Sequence, residues 1–177
     1  MRSKPALTFA LHATSRGFGY VAFEGPFTPH DWGIVTARGD KNAICLRKLD
    51  QMLDQFMPEA LLLEAFGKRS SFRSDRITRL YQAIASMAVS RGINVQVYSF
   101  NDVKACFASV GARTRQEIAE AVARHIDAFG HRMPKARKPW QSEDRRMALF
   151  SAAALVLTHY QLGASTLLDD LQNMGCK

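Results

Sequence analysis

The chain has 177 residues, which is enough for one domain with a sizeable hydrophobic core. Hydrophobic residues make up 47% and charged residues 23%, a composition that excludes wholesale disorder, and no apolar run approaches the roughly 20 residues that span a bilayer. Lysine and arginine outnumber aspartate and glutamate by 24 to 16, and the net charge of +8 favours a polyanionic partner, with nucleic acid first and an acidic membrane surface as the alternative.

The first part of the chain has the pattern of antiparallel strands. Residues 6–11 are apolar and residues 19–24 resume in strand-like side chains, with Gly17 and Gly19 available for positive-φ turn geometry. Residues 31–36 follow a proline-punctuated segment and form a third strand candidate. The sequence therefore predicts a hairpin followed by a further strand.

Helices and strands alternate in the next part. Residues 41–56 carry apolar side chains at helical spacing, and the apolar run 60–65 is typical of a central parallel strand that is covered on both faces. A second helix is predicted over 74–91, and a second buried strand over 93–98. Parallel strands joined by helical crossovers are the expected arrangement.

Two longer helices complete the pattern. Thr114 and Glu117 have capping-box spacing before an apolar helix, and a final helix is predicted over 142–161. The order βββαβαβαα predicts an α/β fold, a mixed five-stranded sheet flanked by helices. We expect this domain to cover residues 1–162, with residues 163–177 as a C-terminal tail.

The cysteines and the N-terminal segment indicate the compartment. Cys45, Cys106 and Cys176 lie far apart without CxxC spacing, so the sequence predicts neither a disulfide framework nor a zinc site. The first residues lack a signal-peptide core of useful length. We therefore expect a cytoplasmic protein.

Several short motifs follow one another in a recognisable order. They are Leu11-His12-Ala13-Thr14-Ser15-Arg16, Gly19-Tyr20, Leu63-Glu64, Val103-Lys104 and the run 152–159. Their order and spacing resemble the RuvC branch of the RNase H-like superfamily over nearly the whole chain. The resemblance implies a Holliday-junction resolvase, in which carboxylates from the first strand, the fourth strand and the last helix bind two divalent cations that drive phosphodiester hydrolysis.

The chain departs from that family at the implied metal ligands. His12 stands where the family has an aspartate, and a ring nitrogen has poor affinity for Mg²⁺. In the last helix, Asp144 matches a family acid and Ser151 stands at the later acidic position, seven residues on and on the same predicted helix face. The resemblance thus implies Glu64 and Asp144 as ligands for Mg²⁺ or Mn²⁺, if any metal is used.

Alternative roles stay open for most of these residues. His12 is either vestigial or acts as a base or as a ligand for a softer ion such as Mn²⁺ or Zn²⁺. Asp144 equally fits a first-turn helix acid, and Ser151 is either a hydroxyl that positions a water molecule or a small residue at a close helix contact. A site role is favoured for Glu64, because an unpaired carboxylate at a buried strand end is costly. Whether Glu143 or Asp102 replaces a missing acid in space is also open.

Two basic segments are predicted near this site. Residues 67–76 follow Glu64 directly, and residues 132–140 lead into the last helix, where Trp140 either stacks on a base or packs as a hydrophobic staple. Solvated surface charge is the alternative to phosphate contacts. The predicted nucleic-acid contacts are Arg16, Lys68, Arg69, Phe72, Arg73, Arg76, Lys104, Arg113, Arg115, Lys135, Arg137 and Lys138.

The function that these features favour is binding of branched or structured DNA by a RuvC-like protein whose two-metal nuclease site is degenerate. One alternative is an active, metal-dependent, structure-specific endonuclease, and another is a non-catalytic subunit of a nucleoprotein complex. A basic face for a protein partner is a further possibility. The resemblance also implies a homodimer, with the apolar helix segment 77–87 at its interface.

Overall fold

The computed structural model describes residues 5–65 and 75–174, with residues 162–174 described through their backbone alone. Five strands form one sheet in the order β3-β2-β1-β4-β5. The strands are β1 (Leu7–Thr14), β2 (Gly17–Glu24), β3 (Thr28–Thr36), β4 (Ala60–Glu64) and β5 (Asn94–Tyr98). The helices are α1 (Lys41–Phe56), α2 (Asp75–Ser90), α3 (Phe100–Phe107), α4 (Arg115–His125), α5 (Asp127–Gly130) and α6 (Met147–Met174), with a 3-10 turn at Ala108–Val110.

The pairing of the strands confirms the predicted mixed sheet. β1 is antiparallel to β2, which is antiparallel to β3, while β4 is parallel to both β1 and β5. The side chains of β1 alternate between two cores: Phe9 and Leu11 pack with α1 and α2, and Ala10 packs with α3, α4 and α6. The sheet therefore lies between two helical layers.

The two glycines predicted to form the first turn have different structural roles. Gly17 has a φ of +152°, and a Cβ there would lie 1.9 Å from the main-chain oxygen of Val35. Gly19 lies within β2, opposite His12, and a Cβ there would lie 2.4 Å from the carbonyl carbon of Ala148. Gly19 therefore allows α6 to approach the sheet closely, and its predicted role in the turn is wrong.

Two predicted elements differ from the structure. The strand over 93–98 is predicted to be buried, but β5 is an edge strand and Val97 is 54% exposed. The last helix begins at Met147, five residues later than predicted, and continues to Met174. Helical spacing reports which residues share a face but does not fix where a helix begins and ends. A separate tail over 163–177 stays a prediction.

The apolar face of α2 is used inside the protomer. Ile77, Leu80 and Ile84 are buried in the core against the sheet, so the apolar face of the segment predicted to form a dimer interface packs within the protomer, while its opposite face stays exposed. The homodimer and the placement of its interface on this segment both stay predictions. Within the part of the chain that the structure describes, no helix is both long and apolar enough to cross a membrane.

Candidate functional site

The register of two parallel strands brings His12 and Glu64 together. Leu11 of β1 pairs with Leu63 of β4, so the next residue on each strand lies beside its neighbour at the carboxyl end of the sheet. Both side chains face α6, because they alternate with residues of the opposite core. His12 Nδ1 lies 3.1 Å from Glu64 Oε2, and the residues are only 7% and 5% exposed.

A cation from α4 completes this pair. Thr114 and Glu117 form the predicted capping box, which fixes Arg115 in the first turn of α4. Arg115 Nη2 donates to Glu64 Oε1 at 2.5 Å, and Nη1 donates to Oε2 at 3.3 Å. The guanidinium carbon lies 4.2 Å from the centre of the Phe100 ring, in cation–π contact. Arg115 thus holds both oxygens of the carboxylate.

The electrostatics of Glu64 follow from these contacts. Burial raises the pKa of Glu64, but the hydrogen bonds and charges of His12 and Arg115 outweigh that effect and lower the pKa to about 2. Glu64 is therefore ionised at neutral pH, with the Arg115 guanidinium as its counter-ion. The result is a nearly buried ion pair, and not a free acid.

Ser151 lies at the edge of the same arrangement. Its Oγ is 3.5 Å from Arg115 Nη1, and it lines one depression together with Glu64 and Arg115. The free volume of this depression is about 10 Å³, close to what one water molecule needs. The structure therefore brings three predicted site residues together through Glu64 and Arg115: His12 contacts Glu64, and Arg115 contacts both Glu64 and Ser151.

Asp144 is placed elsewhere. It precedes α6, and its main-chain oxygen accepts from the Met147 amide at 2.9 Å, so the predicted helix face shared with Ser151 is wrong. Its carboxylate accepts from Arg146 Nη2 at 2.7 Å and from Nε at 3.0 Å. These hydrogen bonds from Arg146 lower the pKa of Asp144. Asp144 is the acid of a local ion pair in the turn before α6.

The residues present do not fit the divalent cations that the resemblance implies. Two-metal hydrolysis needs several free carboxylate oxygens, whereas Glu64 is paired with Arg115 and Asp144 with Arg146. Asp102, a possible replacement, accepts from the amide of Ser99, the N-cap residue of α3, in a capping box. Among the side chains described in residues 5–65 and 75–161, no three histidines, cysteines or acids are grouped closely enough to hold a metal ion.

A basic groove lies beside the Glu64 site. Its volume is about 930 Å³, and Glu143 and Asp144 also line it. A smaller depression of about 390 Å³ is lined by Lys135, Arg137 and also Arg115, so Arg115 borders both the buried carboxylate and the basic loop. Four predicted nucleic-acid contacts line this groove together with two further arginines, and their role in binding stays a prediction. The six cations are Arg16, Lys135, Arg137, Lys138, Arg145 and Arg146.

The other predicted nucleic-acid contacts within the described residues do not line the basic groove. Arg76 donates to Asn42 and to two main-chain carbonyls of the β1–β2 turn, which uses its guanidinium within the fold. Lys104 Nζ lies 5.4 Å from the Phe100 ring, and Arg113 is exposed. Trp140 is 77% exposed, so it is not packed as a staple. The predicted contacts that lie outside the described residues are Lys68, Arg69, Phe72 and Arg73.

Sequence reasoning missed two features of the site. Arg145 and Arg146 are absent from the predicted contacts, although the run Glu143-Asp144-Arg145-Arg146 at a helix start is a visible signal of charge. Arg115 is predicted as a phosphate contact, but its pairing with Glu64 is not. The two residues are 51 positions apart, and no local pattern reports such a pair.

The fold and the site define a class of protein. Three antiparallel strands are followed by parallel strands, and an acid at the end of β4 faces the end of β1 beneath a helix that crosses the sheet. This is the RNase H-like fold. The chain matches no protein-family model.

Comparisons with known proteins show that the chain is similar to RuvC proteins. The crossover junction endodeoxyribonuclease RuvC of Chlorobium chlorochromatii is 25% identical over 126 residues, which cover 67% of this chain and 65% of that protein. The RuvC of Pelodictyon phaeoclathratiforme is 23% identical over 117 residues, covering 62% and 61%. The chain thus spans a little under two thirds of the length of these curated relatives.

Solved structures agree on the fold. Thermus thermophilus RuvC in complex with a Holliday junction substrate superimposes with a TM-score of 0.62 at 18% identity, over 87% of this chain and 92% of that one. The yeast mitochondrial Holliday junction resolvase Ydc2 gives 0.64 at 13% identity, over 96% and 85%. The predicted RuvC-like, RNase H-like fold is confirmed.

Proposed function

We propose that the chain binds branched DNA through the basic groove and does not hydrolyse it by the two-metal route. One observation carries the proposal: a groove lined by six cations lies beside a carboxylate whose charge is already balanced by Arg115. The branched substrate is supported by the relatives, since they are named crossover junction endodeoxyribonucleases and the Thermus protein is bound to a Holliday junction.

The groove supplies what binding to a DNA backbone requires. Each lysine or arginine that neutralises a phosphate releases condensed counter-ions, so affinity grows with the number of such contacts and falls with salt. Lys135 and Arg145 are exposed and make no side-chain hydrogen bond or ion pair within the described residues. Their charges are therefore available to a bound strand.

The first experiment compares DNA binding by two matched double variants. Lys135→Glu/Arg145→Glu reverses two groove charges, and Arg47→Glu/Lys48→Glu makes the same change on the exposed side of α1. Fluorescence anisotropy with a labelled four-way junction is expected to show about tenfold weaker binding for the groove variant and about twofold for the control. Equal losses would place the DNA elsewhere and contradict the proposal.

Junction preference and cleavage are tested with the same labelled DNA. We expect the wild type to bind the four-way junction more tightly than a linear duplex of the same length, and to leave both intact with Mg²⁺ or Mn²⁺. Metal-dependent cleavage that is lost in Glu64→Ala would instead establish the active endonuclease. No binding to either DNA would leave a protein-binding subunit as the remaining function.

A further inference from the structure

We infer that the Arg115 guanidinium is the resident cation of the Glu64 site, where it replaces a divalent ion and offers its outer N–H groups to one backbone phosphate of a bound strand. The inference that Arg115 replaces the metal is argued from contacts within the protein and does not depend on DNA binding. The phosphate contact deepens the proposed function and rests on it.

The geometry of Arg115 supports both parts. A guanidinium carries several N–H donors in a planar fork and is always charged. Two of its donors are used by the Glu64 oxygens, at 2.5 and 3.3 Å, and the Phe100 ring covers one face of the group. The side chain is nevertheless 31% exposed, and it borders the depression that Lys135 and Arg137 line. The donors that Glu64 does not use therefore lie next to the basic loop.

The balance of charge explains why this arrangement needs no metal. A cluster of free carboxylates repels DNA phosphates unless divalent ions neutralise it. Here the Glu64 carboxylate and the Arg115 guanidinium sum to zero charge within one ion pair, and the groove beyond them is cationic. A phosphate that approaches from the groove consequently meets a hydrogen-bond donor and no net negative charge.

The same arrangement disfavours the binding of a divalent ion to Glu64. An ion bound to Glu64 would have to displace the guanidinium or lie within a few ångströms of it, and the free volume there is only about 10 Å³. His12 Nδ1 lies 3.1 Å from Oε2, the same oxygen that Arg115 Nη1 reaches at 3.3 Å. Both oxygens of the carboxylate are thus already in contact with groups of this chain.

The metal part is tested without DNA, by thermal unfolding with EDTA or with millimolar Mn²⁺ at matched ionic strength. We expect the wild-type midpoint to differ by less than about 1 °C between the two conditions. The variant His12→Asp/Arg115→Ala places a second acid beside Glu64 and removes the guanidinium, and it is expected to gain several degrees from Mn²⁺. A gain of several degrees in the wild type would overturn the replacement of the metal.

The phosphate contact is tested by junction affinity in EDTA. Arg115→Ala leaves Glu64 without its cation, so the decisive variant is Glu64→Gln/Arg115→Ala, which removes both charges and keeps the net charge of the site unchanged. This double variant is expected to bind about tenfold more weakly than the wild type. Arg124→Ala, an exposed arginine on the same helix, is expected to stay within about twofold.

The outcomes separate this inference from the proposed function. Wild-type affinity in the double variant would overturn the phosphate contact, since a purely structural ion pair can be removed as a unit without loss of binding. Wild-type binding that requires a divalent ion would overturn it as well. If the wild type binds no DNA, the proposed function fails, and the unfolding experiment still decides whether Arg115 replaces the metal.

Discussion

The Glu64 site and the basic groove use charge in opposite ways. In the site, one nearly buried carboxylate contacts both the Arg115 guanidinium and the His12 imidazole, so its charge is balanced within the protein. In the groove, Lys135, Arg145 and their neighbours are exposed and outnumber the acids that line it. The first region should therefore govern stability and the second should govern DNA affinity, although Arg115 borders both.

The largest change in stability is expected for Arg115→Ala. This substitution leaves the Glu64 carboxylate buried without a cation, which should lower the free energy of unfolding by about 3 kcal/mol. Urea unfolding at neutral pH measures the loss, and Arg124→Ala should cost less than about 0.5 kcal/mol. Equal losses in the two variants would mean that the ion pair does not stabilise the fold.

Acid should remove the contribution of Glu64 to stability. Its pKa is about 2 in the folded protein and 4.5 ordinarily, so the contribution is fully present above about pH 4.5 and is lost as the pH falls towards 2. The contribution of Glu64 to the free energy of unfolding is about 3 kcal/mol in total. The stability difference between wild type and Glu64→Gln, measured by urea unfolding, should therefore shrink below pH 4.5. A difference that does not change with pH would contradict the low pKa.

A smaller loss is expected where β1 ends. The Tyr81 hydroxyl accepts a hydrogen bond from the buried Ala13 amide at 2.8 Å, next to His12. Tyr81→Phe leaves this amide without that acceptor and should lower the free energy of unfolding by about 1 to 2 kcal/mol. Chemical denaturation measures the change. A loss near zero would indicate that a water molecule readily replaces the hydroxyl.

The smallest change in stability is expected in the groove. Lys135→Ala/Arg145→Ala removes two exposed charges and should alter the free energy of unfolding by less than about 0.5 kcal/mol. The same variant should reduce the slope of log affinity against log salt for junction binding by about 2. An unchanged slope would show that neither residue contacts a phosphate.

Local sequence patterns predict most of the fold. The helix expected over 41–56 is α1, Lys41–Phe56, because an apolar stripe and a proline after it mark its length well. The proximity of His12 and Glu64 follows from the rule that parallel strands end at one edge of a sheet. By contrast, the position of Asp144 depends on where α6 begins, and the spacing of the sequence does not show that a turn with an Asp144–Arg146 ion pair precedes the helix.

The remaining features depend on contacts between distant residues. A capping box places Arg115 at the start of α4, but nothing local shows that α4 packs so that this guanidinium reaches β4. In the same way, the exposure of strand 93–98 depends on its place at the edge of the sheet. The spacing of apolar residues shows which face of a helix or strand is buried. It does not show which elements pack against that face, because this depends on the packing of the whole chain.

The missing side chain at Gly19 has a consequence for how this protein can evolve. Since a Cβ there would lie 2.4 Å from the Ala148 carbonyl carbon, a single added methyl group would push α6 away from the sheet opposite His12. Ser151 and the loop that leads into α6 would move with it. Position 19 therefore links the end of β1 at His12 to the start of α6, because the distance between them is kept only while residue 19 carries a hydrogen atom in place of a Cβ.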